Sequence, residues 1–216
     1  MASTVFDRIG GDTMPRRAFY LMIGFVLALG FTETAFVSAL TPGWHPGLFA
    51  FLVVGLGLPL LGIYISSASD NALISFFGFS IAAICFGAIM GPMIAQTDVK
   101  SPGLVAHAAA QTAATTAVMG VTGLLFPGFF SKLGGALFAA LLALLVVTMA
   151  SAFIPALAGM TWIHVIGIGI FALYIGYDMW RASDVPATAD NAVDVAISFY
   201  LDIINLFLQF LALDDD

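Results

Sequence analysis

The chain has little charge. Only 9% of its 216 residues are Asp, Glu, Lys or Arg, against about a quarter in ordinary soluble domains, and this excludes a conventional water-soluble fold. Lys and Arg together number six and form no patch, so the formal net charge of −7 says little and nucleic acid is not an expected partner. Cysteine is reduced to Cys85, inside an apolar run. An internal disulfide is excluded, and the residue reads as part of a core. Neither lysine lies at mid-membrane depth, because Lys100 and Lys132 flank loops, so a retinal Schiff base is not expected. There is no GxSxG serine motif and no His-Glu-x-x-His zinc motif. His45, His107 and His164 fall in different segments and make no recognisable metal set. These absences argue against an enzyme and against a tightly bound cofactor.

Apolar residues make up 61% of the chain. A helix needs roughly 20 mostly apolar residues to cross a bilayer, and seven stretches qualify: residues 18–40, 46–65, 71–94, 102–126, 132–153, 161–182 and 191–213. The expected fold class is an all-α membrane protein, a seven-helix bundle spanning residues 18–213 as one domain. A short polar arm over residues 1–17 precedes it, and an acidic tail over residues 214–216 follows it. The apolar stretch after Arg16 and Arg17 runs well beyond the roughly 7–15 residues of a signal-peptide core and reads as a retained first span. Pro59 predicts a kink in the second span. Ser69 or Asp70 is the candidate cap of the third, and Ser101 with Pro102 that of the fourth. Loops are short, so consecutive helices should be antiparallel neighbours. No internal repeat is evident, although a division of three helices, three helices and one is compatible with the pattern.

Positive charge orients such a bundle. With the N-terminus in the cytoplasm, the inner side carries Arg8, Arg16, Arg17, Lys132 and Arg181, and the outer side only Lys100. The expected arrangement is therefore N-terminus in and C-terminus out. Gly87 and Gly91 form a GxxxG, and Gly134, Gly135, Gly167 and Gly169 also lie within spans. Close helix packing through small residues is the expectation for all of them.

The costly residues are the acids in apolar runs. Asp178 lies in GIFALYIGYDMW and Asp202 in ISFYLDIINLFLQFL. A charge at membrane depth usually faces a bundle interior, a partner or a water path. Asp194, Ser198, Asp202, Asn205 and Gln209 recur at helical spacing and should face inward, which favours a central position for the seventh helix. Asp194 has a second reading, as the acid of a capping box opened by Asn191. His164, Tyr174 and Asp178 share a face of the sixth span, where Tyr174 is placed to hydrogen-bond Asp178. His164 itself reads as a packing residue. Glu33, the single glutamate, is either a third acid along a path or a structural one. His107, Gln111 and Thr115 share a face of the fourth span, lining a cavity or bonding neighbouring helices.

An antiparallel hairpin can bring Asp178 and Asp202 together, but their depths do not match simply. At 1.5 Å per residue, Asp202 lies roughly 16 Å into its helix from Asn191 and Asp178 about 7 Å from Ser183. Equal depth needs the sixth helix to run past Ser183 or the connecting loop to dip inward. If the carboxyls meet in a dry site, they cannot both ionise easily, so they share a proton. Losing that proton leaves two negative charges repelling each other inside the bundle. The alternative is a static pair that fixes helix register.

The YIGYDMW block, resting mainly on Tyr177 and Asp178, and the block Tyr200-Leu201-Asp202-Ile203-Ile204-Asn205-Leu206-Phe207 together resemble the paired signature of the transmembrane Bax inhibitor motif family (the Bax inhibitor one superfamily), in a prokaryotic member. The resemblance implies a seven-helix bundle with the last helix central, acting as a pH-sensitive calcium leak channel, with Asp178 and Asp202 as pH sensor and gate. Two departures accompany it. Eukaryotic members often end in a basic tail, whereas this chain ends in three aspartates. Some relatives place a basic residue on the second helix to partner the acids, and here that span has no Lys or Arg.

The expected partners are the lipid bilayer, calcium ions and protons, in a multi-pass protein of the bacterial cytoplasmic membrane. Calcium takes about 6–8 oxygen ligands. Asp178 and Asp202 with nearby oxygens supply only part of that shell, which suits transient binding during permeation. Glu33, Asp194, Ser198, Asn205 and Tyr174 are the candidate path-lining residues. Two rival readings use the same acids: a proton-coupled cation transporter, and a membrane interaction protein in which the acids are only structural.

Overall fold

The computed structural model of the chain describes residues 12–151, 153, 154 and 160–215. Most of the expected N-terminal arm, with Arg8, lies outside the described residues, as does Asp216. Seven helices are long and apolar enough to span a membrane: α1 (Arg16–Leu40), α2 (Leu48–Ala68), α3 (Ala72–Lys100), α4 (Leu104–Leu125), α5 (Gly134–Ser151), α6 (Thr161–Asp184) and α7 (Ala189–Asp215). A single turn, Pro127–Phe130, precedes α5. There is no strand among the described residues. Large apolar side chains such as Leu21, Phe25, Phe36, Leu60 and Phe77 stand exposed along the helices, as a surface bathed in hydrocarbon requires.

Helix ends follow local chemistry more closely than hydropathy. Asn71 opens α3, its Oδ1 accepting the Leu73 N–H at 2.9 Å while Ser69 Oγ accepts the Asn71 N–H at 3.0 Å. The cap is therefore Asn71 rather than Ser69 or Asp70. α3 also continues to Lys100, past the expected end at residue 94, because polar residues beyond the hydrocarbon keep their helical hydrogen bonds. Gly103 has φ +91°, a left-handed conformation suited to glycine, and it places Pro102 in the turn before α4 rather than inside the helix. In α2, residues Val53–Gly57 form a π-helical turn immediately ahead of Pro59. The wider turn accommodates a ring that lacks an N–H and crowds the preceding carbonyls, so the proline effect expected there is realised as a π turn.

The chain forms two compact units. Among the described residues, the first holds 12–100 and 185–200, and the second holds 101–151, 153, 154, 160–184 and 201–215. Helices α1–α3 lie in one, α4–α6 in the other, and α7 contributes a segment to each.

In the first unit the helices approach through glycine. A Cβ on Gly87 would lie 2.6 Å from the Thr34 carbonyl oxygen, and one on Gly91 would lie 2.7 Å from that of Ser38. The GxxxG of α3 is thus packed on α1. Gly62 and Gly78 face each other backbone to backbone. Phe19, Phe79 and Tyr200 are buried in this core, with the Phe79 ring over Gly30.

In the second unit Gly123 of α4 meets the Gly176 backbone of α6, and Phe130 packs on Gly176. Gly134 lies against the Tyr177 ring and Gly167 against Gln209, whereas Gly135 and Gly169 face open space. Packing explains only some of the glycines within the spans.

Candidate functional site

Asp178 on α6 and Asp202 on α7 belong to the second unit, and their carboxyl groups lie within hydrogen-bonding reach of each other. They are only 6% and 9% exposed. An ionised carboxylate accepts hydrogen bonds and donates none, so a direct bond between two carboxyls needs a proton on one of them. Asp202 Oδ2 is buried with no hydrogen-bond partner. Tyr174, one turn before Asp178, lies within electrostatic reach of both acids. The Arg181 guanidinium, on the other side of Asp178 along α6, lies within reach of that acid. A cation beside the pair therefore comes from α6 itself. The signal was present in the sequence as the three-residue spacing from Asp178 to Arg181.

α6 runs one residue past Ser183 to Asp184. The link is not a surface loop either, because Val185, Ala187 and Thr188 are buried. The link is turned rather than extended, the Thr188 N–H donating to the Pro186 carbonyl at 3.0 Å.

Further along α7, Gln209 Oε1 meets His164 Nδ1 at 2.8 Å, which gives His164 the satisfied role expected of it. Asp214 Oδ2 lies 2.9 Å from His107 Nδ1, a pairing that sequence spacing did not suggest. Asn205 Nδ2 donates to its own helix, at the Leu201 carbonyl 2.7 Å away. Gln111 Oε1 is buried without a partner on α4.

In the first unit, short hydroxyls carry the interhelical bonds. Ser66 Oγ donates to Asp194 Oδ1 at 2.9 Å, and Ser75 Oγ to Asp190 Oδ1 at 2.7 Å. Asp194 is therefore not the acid of a capping box. α7 begins earlier than residue 191, and Thr188 Oγ1 accepts the Asn191 N–H at 3.2 Å. Ser198 Oγ turns back to the Asp194 carbonyl at 3.4 Å. Glu33 Oε1 accepts from Ser80 at 3.0 Å, while its Oε2 is buried with no partner. Thr34 Oγ1 and the Tyr200 hydroxyl lie 2.6 Å apart. Ser66, Ser75, Ser80 and Thr34 were not singled out from the sequence, since small hydroxyl residues are common in apolar helices.

Of the proposed site residues, the fold brings Asp178 and Asp202 together, with Tyr174 one turn away on α6; the hydrogen bond expected from Tyr174 to Asp178 is not formed among the described residues. Asp194, Ser198 and Glu33 lie in the first unit, and Asn205 in the second. No three of His, Cys, Asp and Glu gather to hold a metal among the described residues.

A protein-family model described as "Inhibitor of apoptosis-promoting Bax1" (Bax1-I) matches residues 12–213. An uncharacterized protein of Deinococcus radiodurans is 29% identical over 197 residues, covering 84% of this chain and 83% of the relative. An uncharacterized protein of Helicobacter pylori is 28% identical over 145 residues, covering 65% of this chain and 59% of the relative. The match along nearly the whole described chain and the seven apolar helices lead to one conclusion: the chain is a multi-pass integral membrane protein with bacterial relatives, and it belongs to the Bax1-I family.

Proposed function

We propose that the protein is a calcium leak channel whose gate is the proton shared by Asp178 and Asp202. The feature that carries this reading is a pair of buried carboxyls within hydrogen-bonding reach of each other. A proton between them holds α6 to α7 while it is present. Once the proton leaves, both groups are acceptors only, and like charges in a poorly solvated site repel. Opening then follows deprotonation, and flux rises with pH.

Calcium as the permeant ion rests on the resemblance carried by the two aspartate blocks. The carboxyl oxygens of the open pair are hard ligands, too few to retain the ion and enough to replace part of its hydration. Orientation follows the positive-inside rule, with Arg16, Arg17, Lys132 and Arg181 cytoplasmic and Lys100 outside.

Reconstitution in liposomes containing a calcium dye tests the reading. The expected result is calcium entry down its gradient that increases with pH, and a flat pH response for Asp202→Asn. Absence of flux at every pH, or an unchanged response in Asp202→Asn, overturns it. Calcium movement that obligatorily drives protons the other way would instead identify an exchanger using the same acids.

A further inference from the structure

A second site lies in the first unit, away from the acids. A cavity of about 370 Å³ opens where the link after α1 passes the beginning of α2 and the last turns of α3. This is within the range of small-ligand sites, about 300–1,000 Å³. Phe51, Ile89 and Met93 line it with apolar surface, and Trp44, His45 and Gln96 with polar groups. Among the described residues, none supplies a hydrogen-bond partner to the Trp44 indole N–H, the His45 imidazole or the Gln96 amide.

The position of these groups defines the medium they meet. Trp44 and His45 lie in the link between two spans, and Gln96 lies one turn before the end of α3. That is the level where hydrocarbon gives way to headgroups, the usual place for tryptophan. The apolar residues lie further into the spans. The lining contains no Lys, Arg, Asp or Glu, so it offers no net charge to a strongly ionic ligand. The π turn of α2 begins just beyond Phe51, and Ile89 comes to 3.3 Å of the position of a Cβ on Gly55. Turns of this kind frequently accompany binding sites.

We propose that this cavity seats a zwitterionic phospholipid. The ammonium of the headgroup lies over the Trp44 ring. His45 and Gln96 donate to the phosphate oxygens, and the upper part of an acyl chain follows Phe51, Ile89 and Met93.

The test uses the full chain carrying Trp162→Phe and Trp180→Phe, which leaves Trp44 as the fluorophore. It is reconstituted in phosphatidylglycerol vesicles containing a low mole fraction of brominated phosphatidylcholine or, separately, brominated diacylglycerol, which lacks the headgroup. A headgroup whose phosphate is anchored by His45 and Gln96 predicts about twofold stronger quenching of Trp44 by the phospholipid, and this difference falls by at least half in His45→Ala/Gln96→Ala, where only the contact of the ammonium with Trp44 remains. Both of those positions are exposed, and an unchanged circular dichroism spectrum confirms that the variant is folded. Equal quenching by the two lipids overturns the proposal, as does an undiminished difference in the folded double variant. Relief of quenching by water-soluble glycerophosphocholine would reassign the cavity to a soluble phosphodiester and also overturn it.

Discussion

Ser66 Oγ donates a 2.9 Å hydrogen bond to Asp194 Oδ1, between side chains that are 1% and 5% exposed. A serine of α2 thereby holds an acid of α7 in the first unit, and Ser75 repeats the arrangement with Asp190 on the preceding turn of the same helix. Each carboxyl gains a neutral donor at a depth where an unsatisfied oxygen is costly.

Ser66→Ala removes one bond from Asp194 without altering the backbone. Interhelical hydrogen bonds in membranes average about 0.6 kcal/mol and reach about 1.7. The expected loss lies in the upper part of that range, because the acceptor is an acid. Unfolding in mixed micelles measures it, and a variant as stable as the parent would show that Ser66 contributes nothing to holding Asp194.

Glycine substitutions should separate sharply by position. Gly123→Ala drives a methyl into the Gly176 backbone, which cannot rotate away as a side chain could, and should cost about 3 kcal/mol or more. Gly169 has open space around it, so Gly169→Ala should be neutral or stabilising by about 0.5–1 kcal/mol through helix propensity. Thermal melting of the two variants side by side reads the contrast.

Tyr200 is fully buried among the Phe31, Phe79 and Phe86 rings, with its hydroxyl on Thr34. Tyr200→Phe should cost only about 1 kcal/mol, because Thr34 Oγ1 retains the Gly30 and Ala83 carbonyls as acceptors. Tyr200→Ala leaves a void in the aromatic cluster and should cost about 3–5 kcal/mol. Denaturant titration in detergent distinguishes the two.

At the aspartate pair, Asp178→Asn should leave helix packing intact, since an amide can still bond to a carboxyl. It removes one of the two charges that would repel. The expected outcome is a calcium leak that stays low and no longer rises with pH, read in the same liposome assay as Asp202→Asn. A variant that retains the parent's pH profile would show that the pair is not the sensor.

His107 and Asp214 form a pair whose histidine side chain is 64% exposed. Solvent screens such a contact, so His107→Gln should change stability by no more than about 0.5 kcal/mol, measured by thermal melting at neutral pH.

Much of this architecture is legible in the sequence because lipid imposes simple rules. Seven apolar stretches give seven helices, and two acids in apolar surroundings must find shelter, which Asp178 and Asp202 find in each other. Hydropathy does not mark where a helix begins or ends in water. Asn71, Gly103 and Thr188 fix those points through short-range bonds and a left-handed glycine, and misplacing the start of α7 is what made Asp194 resemble a capping residue. The hydroxyl contacts are illegible in the sequence for a different reason. Ser66 and Ser75 have no distinctive spacing of their own, and their meaning appears only once α7 lies against them. The three-residue step from Asp178 to Arg181 is as readable in the sequence as the charge of Arg181.

The division of α7 between two groups of three helices has a consequence for biogenesis. Translation delivers this segment after both groups have left the ribosome, so each must wait in the bilayer with serine, threonine or histidine side chains awaiting their mates. Neither group can complete its interior ahead of the other. Insertion of one late helix, bringing Asp190, Asp194 and Tyr200 to the first group and Asp202 and Gln209 to the second, finishes both in a single stroke.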